Sequence, residues 1–403
     1  MFFSNTATAF LGFVFTWILA RWLTVEEFGV FSAASNLVFI LAPLVDIGVT
    51  AGLVRFVSQL EAKGKYEESL KYIKAGFIIR ASLTLVFAAI LVAFAPLISS
   101  KFLATNDPMI SVWVALILIG IFFVSFFPFL FQARRQFLKS VITDISYTLG
   151  RVIIAALFLL VGLTLYNALA SFALAGVVTF FVVWILFGYS FLNRKVPSIV
   201  YKKLMGFSGW LGVNKILSSI YSRVDILFLA SIAGATITGY YSIASRLAFF
   251  IIVITSSLSA VMAPRLSAFE DKEKEKVYIK KATLLLVIIS AGVLFWVAIA
   301  RPFIIILFST KYVESVAIFQ ALALAMIPFL FTAPPVTAII YAMKKPKYIG
   351  IFSVVQLVLM VVLNYYLITR YGAFGAAFTF GIVNTLLAIY TWTIVIKHYW
   401  FTK

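Results

Sequence analysis

The chain has 403 residues, of which 64% are hydrophobic and 12% are charged, and its mean hydropathy is +1.10. Because a soluble domain is only about half apolar, this composition excludes an ordinary soluble protein. The net charge of +19 does not indicate nucleic-acid binding, since the basic residues lie in short loops between apolar runs and no RNA-binding motif is present. We therefore predict a polytopic membrane protein without a nucleic-acid partner.

Residue types that many catalytic and metal sites need are scarce. There is no cysteine, and the only histidine, His398, lies near the C-terminus. Disulfides, thiolate chemistry and histidine metal clusters are therefore excluded. No phosphate-binding glycine loop with its Lys-Ser/Thr pair is present. The sequence predicts no enzyme, no metal and no bound cofactor; any energy that the protein uses would come from a gradient of an ion such as Na⁺ or H⁺, or from withdrawal of a product.

Apolar runs of about twenty residues, long enough to cross the hydrocarbon core as helices, follow one another along the chain. The first run is too long for a signal-peptide core and no small-residue cleavage site follows it, so we expect a retained span. The predicted spans are 2–22, 29–54, 75–98, 109–131, 141–163, 168–191, 206–232, 239–264, 282–308, 315–342, 349–369 and 373–396.

The chain contains an internal repeat. LARWLTVEEFGVFSAASNL at 19–37 returns as LASIAGATITGYYSIASRL at 229–247, an offset of 210 residues. The same offset carries 134–135 onto 344–345, which predicts a register without a gap. Because six is an even number, six spans in each copy give both copies one orientation. We expect an all-α membrane protein with two six-helix lobes related by a pseudo-two-fold axis along the membrane normal.

The predicted lobes are 1–193 and 206–403, the second with a short cytoplasmic tail, and 194–205 is a cytoplasmic linker. Basic loop residues, Arg80 included, number 24 on one side and 4 on the other. This bias places both termini in the cytoplasm of a cell-membrane protein. Two charged islands lie at 61–74 and 270–281. EDKEKEK at 270–276 has the charge density of a solvated helix, and the simpler interpretation of both islands is a surface loop that also attracts anionic lipid headgroups.

Several charges lie inside the predicted spans, where a charge facing lipid is costly. Such groups should face a watery cavity or one another. Asp144 and Arg151 are two helical turns apart, so they share a face and form either a structural ion pair or a gate. Arg223 and Asp225 are two residues apart and cannot share a face. The bases in spans are Arg151, Lys215, Arg223, Arg246 and Arg301, and the acids are Asp46, Asp144 and Asp225.

With Arg55 and Arg265 at span ends, these bases can form a cationic cavity. Arginine suits a pyrophosphate because its planar fork donates two hydrogen bonds and stays charged. Alternatively, Arg55 and Arg265 only snorkel and set topology, and Asp46 is either a coupling-ion site or a structural acid. Candidate substrate-binding residues are Arg55, Arg151, Lys215, Arg223, Arg246 and Arg265, and candidate coupling or gating residues are Asp46, Asp144 and Asp225.

Glycine and proline interrupt several spans, among them Pro43 and Gly48 in span two and Pro128 in span four. Such breaks either serve close helix packing or let the helices bend between inward-open and outward-open states.

The segment ARWLTVEEFGVFSAASNLVFILAPLVDIGVTAGLVRFVSQ at 20–59 resembles the start of the polysaccharide-exporter family. These are the Wzx-type flippases of the multidrug/oligosaccharidyl-lipid/polysaccharide (MOP) superfamily. The matching features are the Ala20-Arg21 pair with Leu23, the Glu27-Phe28-Gly29 turn, the end of span two from Gly48 to Arg55, and QARRQF at 132–137.

The resemblance implies a MATE-like bundle of two six-helix lobes around a central cationic cavity. It also implies a function. Polyprenyl- or dolichyl-(pyro)phosphate-linked oligosaccharide would be moved from the cytoplasmic to the outer leaflet by alternating access, for surface polysaccharide or glycoconjugate synthesis. Expected partners are this substrate, membrane lipids, and a polysaccharide polymerase or glycosyltransferases.

Two alternatives stay open. A drug/cation antiporter with the same fold would need acidic cavity residues, whereas bases outnumber acids in the spans. A scaffold of a glycan-synthesis complex would transport nothing. The repeat itself is unequal, since Asn36 in the first copy corresponds to Arg246 in the second. Such an asymmetry is expected of a transporter whose anionic substrate is itself asymmetric.

Overall fold

The computed structural model describes residues 2–401, without the side chains of 2–5, 210, 211 and 214. Lys403, one of the bases counted above, lies outside the described residues. The chain is 88% helical, and the described residues contain no strand. Contacts divide it into two compact units, Met1–Arg223 (unit 1) and Val224–Lys403 (unit 2).

Unit 1 is a bundle in which α6, defined below, is the most central helix and packs against six other helices. Its α-helices are α1 (Phe2–Trp22), α2 (Val25–Asp46), α3 (Val49–Ala62), α4 (Tyr66–Ala93), α5 (Ala95–Phe102), α6 (Met109–Ala133), α7 (Phe137–Leu159), α8 (Leu165–Phe187) and α9 (Ser198–Tyr221), with a 3₁₀ helix at Ser190–Asn193.

Unit 2 is also a bundle of helices, and two of its apolar spans end in π-helices. Its α-helices are α10 (Val224–Ile232), α11 (Ala235–Ala268), α12 (Lys272–Ala298), α13 (Ala300–Phe308), α14 (Glu314–Ala325), α15 (Ile327–Leu330), α16 (Ala333–Thr337), α17 (Lys347–Tyr371) and α18 (Ala373–Ile396), with a 3₁₀ helix at Thr310–Tyr312 and π-helices at Ala338–Ala342 and Lys397–Phe401.

Within residues 2–401, ten helices are long and apolar enough to cross a membrane. They match ten of the predicted spans. The other two predicted spans correspond to α1, whose described side chains begin at Thr6, and to α9 with α10, where lysines such as Lys202 and Lys215 lower the hydropathy. The prediction of an all-helical multi-pass membrane protein is confirmed.

Both charged islands are largely helical. The solvated helix indicated by EDKEKEK is therefore confirmed from Lys272 onward, whereas the interpretation as surface loops is wrong for most of their length. α4 already begins at Tyr66 and α12 at Lys272. Acidic residues in each first turn favour these starts because they complement the helix dipole. Asp271 also caps α12, since its Oδ1 accepts a hydrogen bond from the Glu273 amide at 2.9 Å. The predicted linker is helical from Ser198 onward.

The predicted gap-free register of the repeat is wrong beyond its first part. α2 begins at Val25 and α11 at Ala235, an offset of 210, but α5 begins at Ala95 and α13 at Ala300, an offset of 205. Unit 2 therefore has five fewer residues before α13. It regains most of them in the broken helices α14–α16 and the π-helix that follows.

The Glu27-Phe28-Gly29 motif is the first turn of α2. The Thr24 hydroxyl accepts from the Glu27 amide at 3.1 Å, and the Glu27 carboxylate accepts from the Thr24 amide at 2.9 Å. This capping box fixes where α2 begins. At its other end, Ile47 (φ 41°) and Gly48 (φ 75°) are both left-handed, which separates α2 from α3 inside the predicted span two.

α9 runs antiparallel to α2 and α3, backbone against backbone. A Cβ on Gly212 would lie 2.4 Å from the Ile47 carbonyl carbon, and one on Gly48 would lie 2.3 Å from the Ser208 carbonyl oxygen. Real side chains do not tolerate such distances, so this approach requires glycine. The contact places α9 in unit 1, whereas the predicted lobe bounds assign 206–221 to the second lobe; those bounds stay a prediction.

Gly212→Ala should destabilise the protein, because the new methyl group meets backbone atoms that cannot turn away. We expect a loss of about 1–3 kcal/mol, measured as a lower apparent unfolding midpoint in detergent. Gly209→Ala is the matched control on the same helix, since its Cβ would meet nothing within 4 Å. It should leave the midpoint unchanged or slightly higher. Equal midpoints for the two variants would contradict the close approach.

Candidate functional site

The last residue of α2, Asp46, carries a carboxylate that is only 2% exposed. Its Oδ1 accepts hydrogen bonds from both the backbone amide, at 3.2 Å, and the hydroxyl of Thr50. Thr50 lies in the first turn of α3, and the left-handed break at 47–48 brings it to this position. The broken span therefore holds an acid in the interior of unit 1.

Arg80 of α4 provides the first counter-charge. Its Nε lies 3.1 Å from Asp46 Oδ1, and its side chain is 1% exposed. The other guanidinium nitrogens donate to the Thr50 hydroxyl at 2.9 Å and to the Ser125 carbonyl and hydroxyl oxygens at 3.0 and 2.8 Å. The rings of Phe122 and Phe126 lie 5.5–5.6 Å from its guanidinium carbon. This buried arginine joins α2, α3, α4 and α6.

Counting Arg80 among the basic loop residues was wrong. α4 begins at Tyr66, so Arg80 lies fourteen residues, about 21 Å, along the helix. The sequence did contain a usable signal, because an acid buried in span two requires a cation from a neighbouring span. Arg80 is such a cation, in the next predicted span, 75–98.

Lys215 of α9 provides the second counter-charge. Its Nζ lies 2.9 Å from Asp46 Oδ2, but its side chain is 49% exposed. We call Asp46, Thr50, Arg80, Ser125 and Lys215 the Asp46 cluster. One carboxylate and two cations leave it with one net positive charge, carried at its accessible edge by the lysine. A half-exposed ammonium group within a span should face water rather than lipid.

Two further cations lie along the contact of α9 with α2 and α3. The guanidinium carbon of Arg55 lies 4.2 Å from the centroid of the Phe207 ring. Arg223 donates to Asn36 Oδ1 at 3.0 Å, and its guanidinium carbon lies 4.7 Å from the Phe39 ring centroid. Phe207 and Lys215 are eight residues, about 12 Å, apart along α9, and Arg223 follows the end of this helix at Tyr221. We call Arg55, Lys215 and Arg223 the α9 cation row.

Arg151 and Asp144 do not form a pair in the described part of the chain. The guanidinium carbon of Arg151 instead lies 4.7–5.0 Å from the ring centroids of Phe15, Tyr147 and Phe172, joining α7 to α1 and α8. Two helical turns put the groups on one face but about 10 Å apart along the axis, which exceeds the reach of an ion pair.

The candidates of unit 2 have different surroundings. Asp225 accepts a hydrogen bond from the Tyr241 hydroxyl at 2.5 Å. Arg246 is half-buried in α11, and the exposed Arg265 has its guanidinium carbon 5.9 Å from the Tyr278 ring centroid.

Position 256, which corresponds to Asp46 at the offset of 210, is serine, and residues 285–290, where a counterpart of Arg80 would lie, carry no charge. The Asp46 cluster therefore has no counterpart in unit 2. Among the described residues, no three His, Cys, Asp or Glu side chains form a possible metal site.

A family model described as polysaccharide biosynthesis protein matches residues 1–270. The chain belongs to this family. A second model, MatE, matches residues 211–366. The expectation that the chain resembles polysaccharide exporters of the MOP superfamily is confirmed.

Two curated relatives bear names that concern glycan transport. A Shigella flexneri protein named for O-antigen transport is 27% identical over 233 residues, which is 54% of each chain. The succinoglycan biosynthesis transport protein ExoT of Rhizobium meliloti is 26% identical over 336 residues, 80% of this chain and 64% of the relative. The chain thus spans about half to two thirds of the length of these relatives.

Solved structures share the fold. The lipid II flippase MurJ in an inward closed conformation matches with a TM-score of 0.78 at 15% identity, over 98% of this chain and 87% of the other. An inward-facing multidrug resistance MATE family transporter of the MOP superfamily matches with a TM-score of 0.76 at 16% identity, over 98% and 96%. The predicted MATE-like helical fold is confirmed.

Asp46→Asn should destabilise the protein strongly, because Arg80 would stay buried without its counter-charge. The expected cost is about 3–5 kcal/mol, measured as the apparent unfolding midpoint in detergent. Lys215→Gln leaves the Asp46–Arg80 pair intact and removes a half-exposed partner, so it should cost about 1 kcal/mol or less. Glu270→Gln, at an exposed acid outside the helices, is the control. A midpoint for Asp46→Asn equal to that of Glu270→Gln would exclude a structural role for the pair.

Proposed function

We propose that the protein is a flippase that moves (pyro)phosphate-linked oligosaccharide on a polyprenyl or dolichyl carrier from the cytoplasmic to the outer leaflet. The observation that carries the proposal is the α9 cation row with the Asp46 cluster behind it. Family membership and the names of the relatives support the same substrate class. On this proposal both termini lie in the cytoplasm and the carrier tail remains in the bilayer.

The α9 cation row suits an anion that travels along a helix. Arg55 contacts Phe207 in the middle of α9, Lys215 lies eight residues, about 12 Å, further along the helix, and Arg223 follows its end at Tyr221. The three cations thus succeed one another along more than half of a helix that is long enough to cross a hydrocarbon core of about 30 Å. Arg55 stacks on an aromatic ring, which orients the guanidinium plane without using its N–H donors. A phosphate oxygen can therefore accept two hydrogen bonds from this group. Stepwise transfer between weak sites lets the anion enter and leave.

The Asp46 cluster allows the Lys215 ammonium group to exchange Asp46 for another anionic partner. When a phosphate approaches, the exposed ammonium group can turn from Asp46 to the ligand, since Asp46 keeps Arg80 and Thr50 as partners. No buried charge is left unpaired in either state, so the cost of the exchange is small. Without Arg80, each departure of Lys215 would leave a lone carboxylate in the interior.

Alternating access would be driven by a Na⁺ or H⁺ gradient or by withdrawal of the product. A polysaccharide polymerase or glycosyltransferases, acting at the two leaflets, are the partners that this function requires. The buried acid Asp46 and the half-buried acids Asp144 and Asp225 are the candidates for coupling or gating.

A drug/cation antiporter is the second candidate, because the MatE model matches residues 211–366. That function needs an uncompensated acid facing the ligand. In unit 1 the buried acid contacts two cations, which favours an anionic ligand over a cationic drug. A scaffold role without transport predicts loss of partner binding, rather than of flipping, when the cations are removed.

Reconstitution with a fluorescent polyprenyl-pyrophosphate glycan tests the proposal. Purified protein should move the labelled lipid between leaflets faster than empty vesicles do. Arg55→Ala, Lys215→Ala, Arg223→Ala and Arg246→Ala should each reduce the initial rate about tenfold or more, because each removes a charge-assisted contact of roughly 1.5–3 kcal/mol. A rate equal to that of empty vesicles would overturn the flippase proposal.

Arg370→Ala is the matched control. Arg370 is an exposed cation at the end of α17, with its guanidinium carbon 4.2 Å from the Tyr366 ring, and lies outside the cation row. Its rate should equal that of the wild type. If Arg370→Ala slowed flipping as much as Lys215→Ala, the effect would be one of total charge and the cation row would carry no specific role.

The coupling ion can be tested in the same vesicles. An imposed Na⁺ or proton gradient should change the initial flipping rate severalfold if that ion drives the cycle. Asp225→Asn and Asp144→Asn are tested side by side. The variant that removes the coupling residue should lose the gradient effect while its basal flipping continues. A rate independent of both gradients would leave product withdrawal as the driving force.

A further inference from the structure

An open groove lies in unit 2 between the end of α11 and the start of α12. Its volume is about 360 Å³, and it is lined by Phe269, Glu273, Lys274, Val277, Tyr278 and Lys281. Phe269 leaves the helix with an extended backbone (φ −75°, ψ 136°), and its ring meets that of Tyr278 edge-on at 5.7 Å. The two rings hold the floor of the groove in place.

The groove combines an apolar floor with a basic rim. Val277 is 49% exposed on the floor, while Lys274 and Lys281 lie exposed at the edge. The exposed Arg265 reaches the same edge, above the Tyr278 ring. The one acid of the lining, Glu273, pairs with Lys276 at 3.5 Å. The rim therefore carries an excess of positive charge.

The groove continues into a lipid-facing stripe. Val277, Leu284, Ile288 and Phe295 recur at helical spacing on one face of α12, and the last three are 64–67% exposed. From Lys281 to Ile288 the helix rises about 10 Å, and half a hydrocarbon core is about 15 Å. An acyl chain that follows this stripe would bring its headgroup to the basic rim.

We propose that this groove binds one anionic phospholipid, with the phosphate at Lys274, Lys281 and Arg265 and the acyl chain against Val277 and the α12 stripe. Charge complementarity and continuity with the lipid-facing stripe select this occupant. Basic pockets at the ends of spans bind anionic headgroups in this way. The proposal concerns the lipid around the protein and does not depend on what the protein transports.

The test is lipid retention by the purified full chain in detergent, followed by native mass spectrometry during titration with phosphatidylglycerol or phosphatidylcholine. The wild type should bind one phosphatidylglycerol at low concentration, and phosphatidylcholine more weakly. Lys274→Gln with Lys281→Gln should raise the half-saturating phosphatidylglycerol concentration about 30-fold, at about 1 kcal/mol for each lysine. Phosphatidylcholine binding should not change.

Two further variants distinguish a specific lipid site from an unspecific effect of positive charge. Lys63→Gln with Lys71→Gln removes the same charge from the island of unit 1 and should leave retention as in the wild type. Val277→Trp fills the floor at an exposed position without changing charge and should abolish the tight binding.

Equal weakening by the two lysine pairs would overturn the proposal, as would normal retention by Val277→Trp. Displacement of the bound phosphatidylglycerol by an equimolar polyprenyl pyrophosphate would assign the groove to the transported lipid instead, and would also overturn it.

Discussion

A carboxylate buried among helices with two cations is the interaction on which unit 1 depends. Asp46 lies at the end of α2, and its partners come from α3, α4 and α9. Because an unpaired charge in this environment is costly, each of these helices must approach Asp46 closely in the folded state. The positions of Arg80 and Lys215 therefore follow from one requirement. The two partners nevertheless differ in role, because one is enclosed and the other is half exposed.

The backbone break at 47–48 makes this arrangement possible. A continuous helix would direct the Thr50 amide toward the carbonyl of Asp46, and its hydroxyl would have no reason to meet the carboxylate. With two left-handed residues between them, α3 begins beside the Asp46 side chain and supplies its amide and hydroxyl to it. A left-handed isoleucine is strained, by about 1–3 kcal/mol. The hydrogen bonds and ion pairs of the cluster, together with the glycine contact to α9, hold it in place.

Most of the fold could be predicted from hydropathy alone, because about twenty consecutive apolar residues in a bilayer have few options other than a helix. The predicted spans 2–22 and 373–396 coincide with helices, and those at 109–131 and 349–369 differ by two residues at most at either end. The charged segments were predicted less well. Apolar content indicates which part of a helix lies in lipid. The helix itself extends further into water, as α12 does up to its N-terminal cap, Asp271.

The site was only partly predictable. Asp46, Lys215 and Arg223 were recognisable as charges inside spans, and the structure brings Asp46 and Lys215 into contact. Arg80 was missed because its position lies within a few residues of the predicted span boundary, where a cation is usually assigned to a loop. The pairing of Asp144 with Arg151 was overestimated, since residues two turns apart on one helix face are still about 10 Å apart along the axis, and Arg151 contacts aromatic rings instead.

The order of the charges along the chain has a consequence for biogenesis. Arg80 follows Asp46 by 34 residues, whereas Lys215 follows it by 169. At a synthesis rate of about 5–20 residues per second, the first three spans exist for on the order of ten seconds before α9 emerges. During that interval Arg80 is the one of the two basic partners that is already available to neutralise the acid. The enclosed arginine can thus neutralise Asp46 in the nascent chain, and the lysine that is synthesised later adds the half-exposed positive charge of the finished cluster.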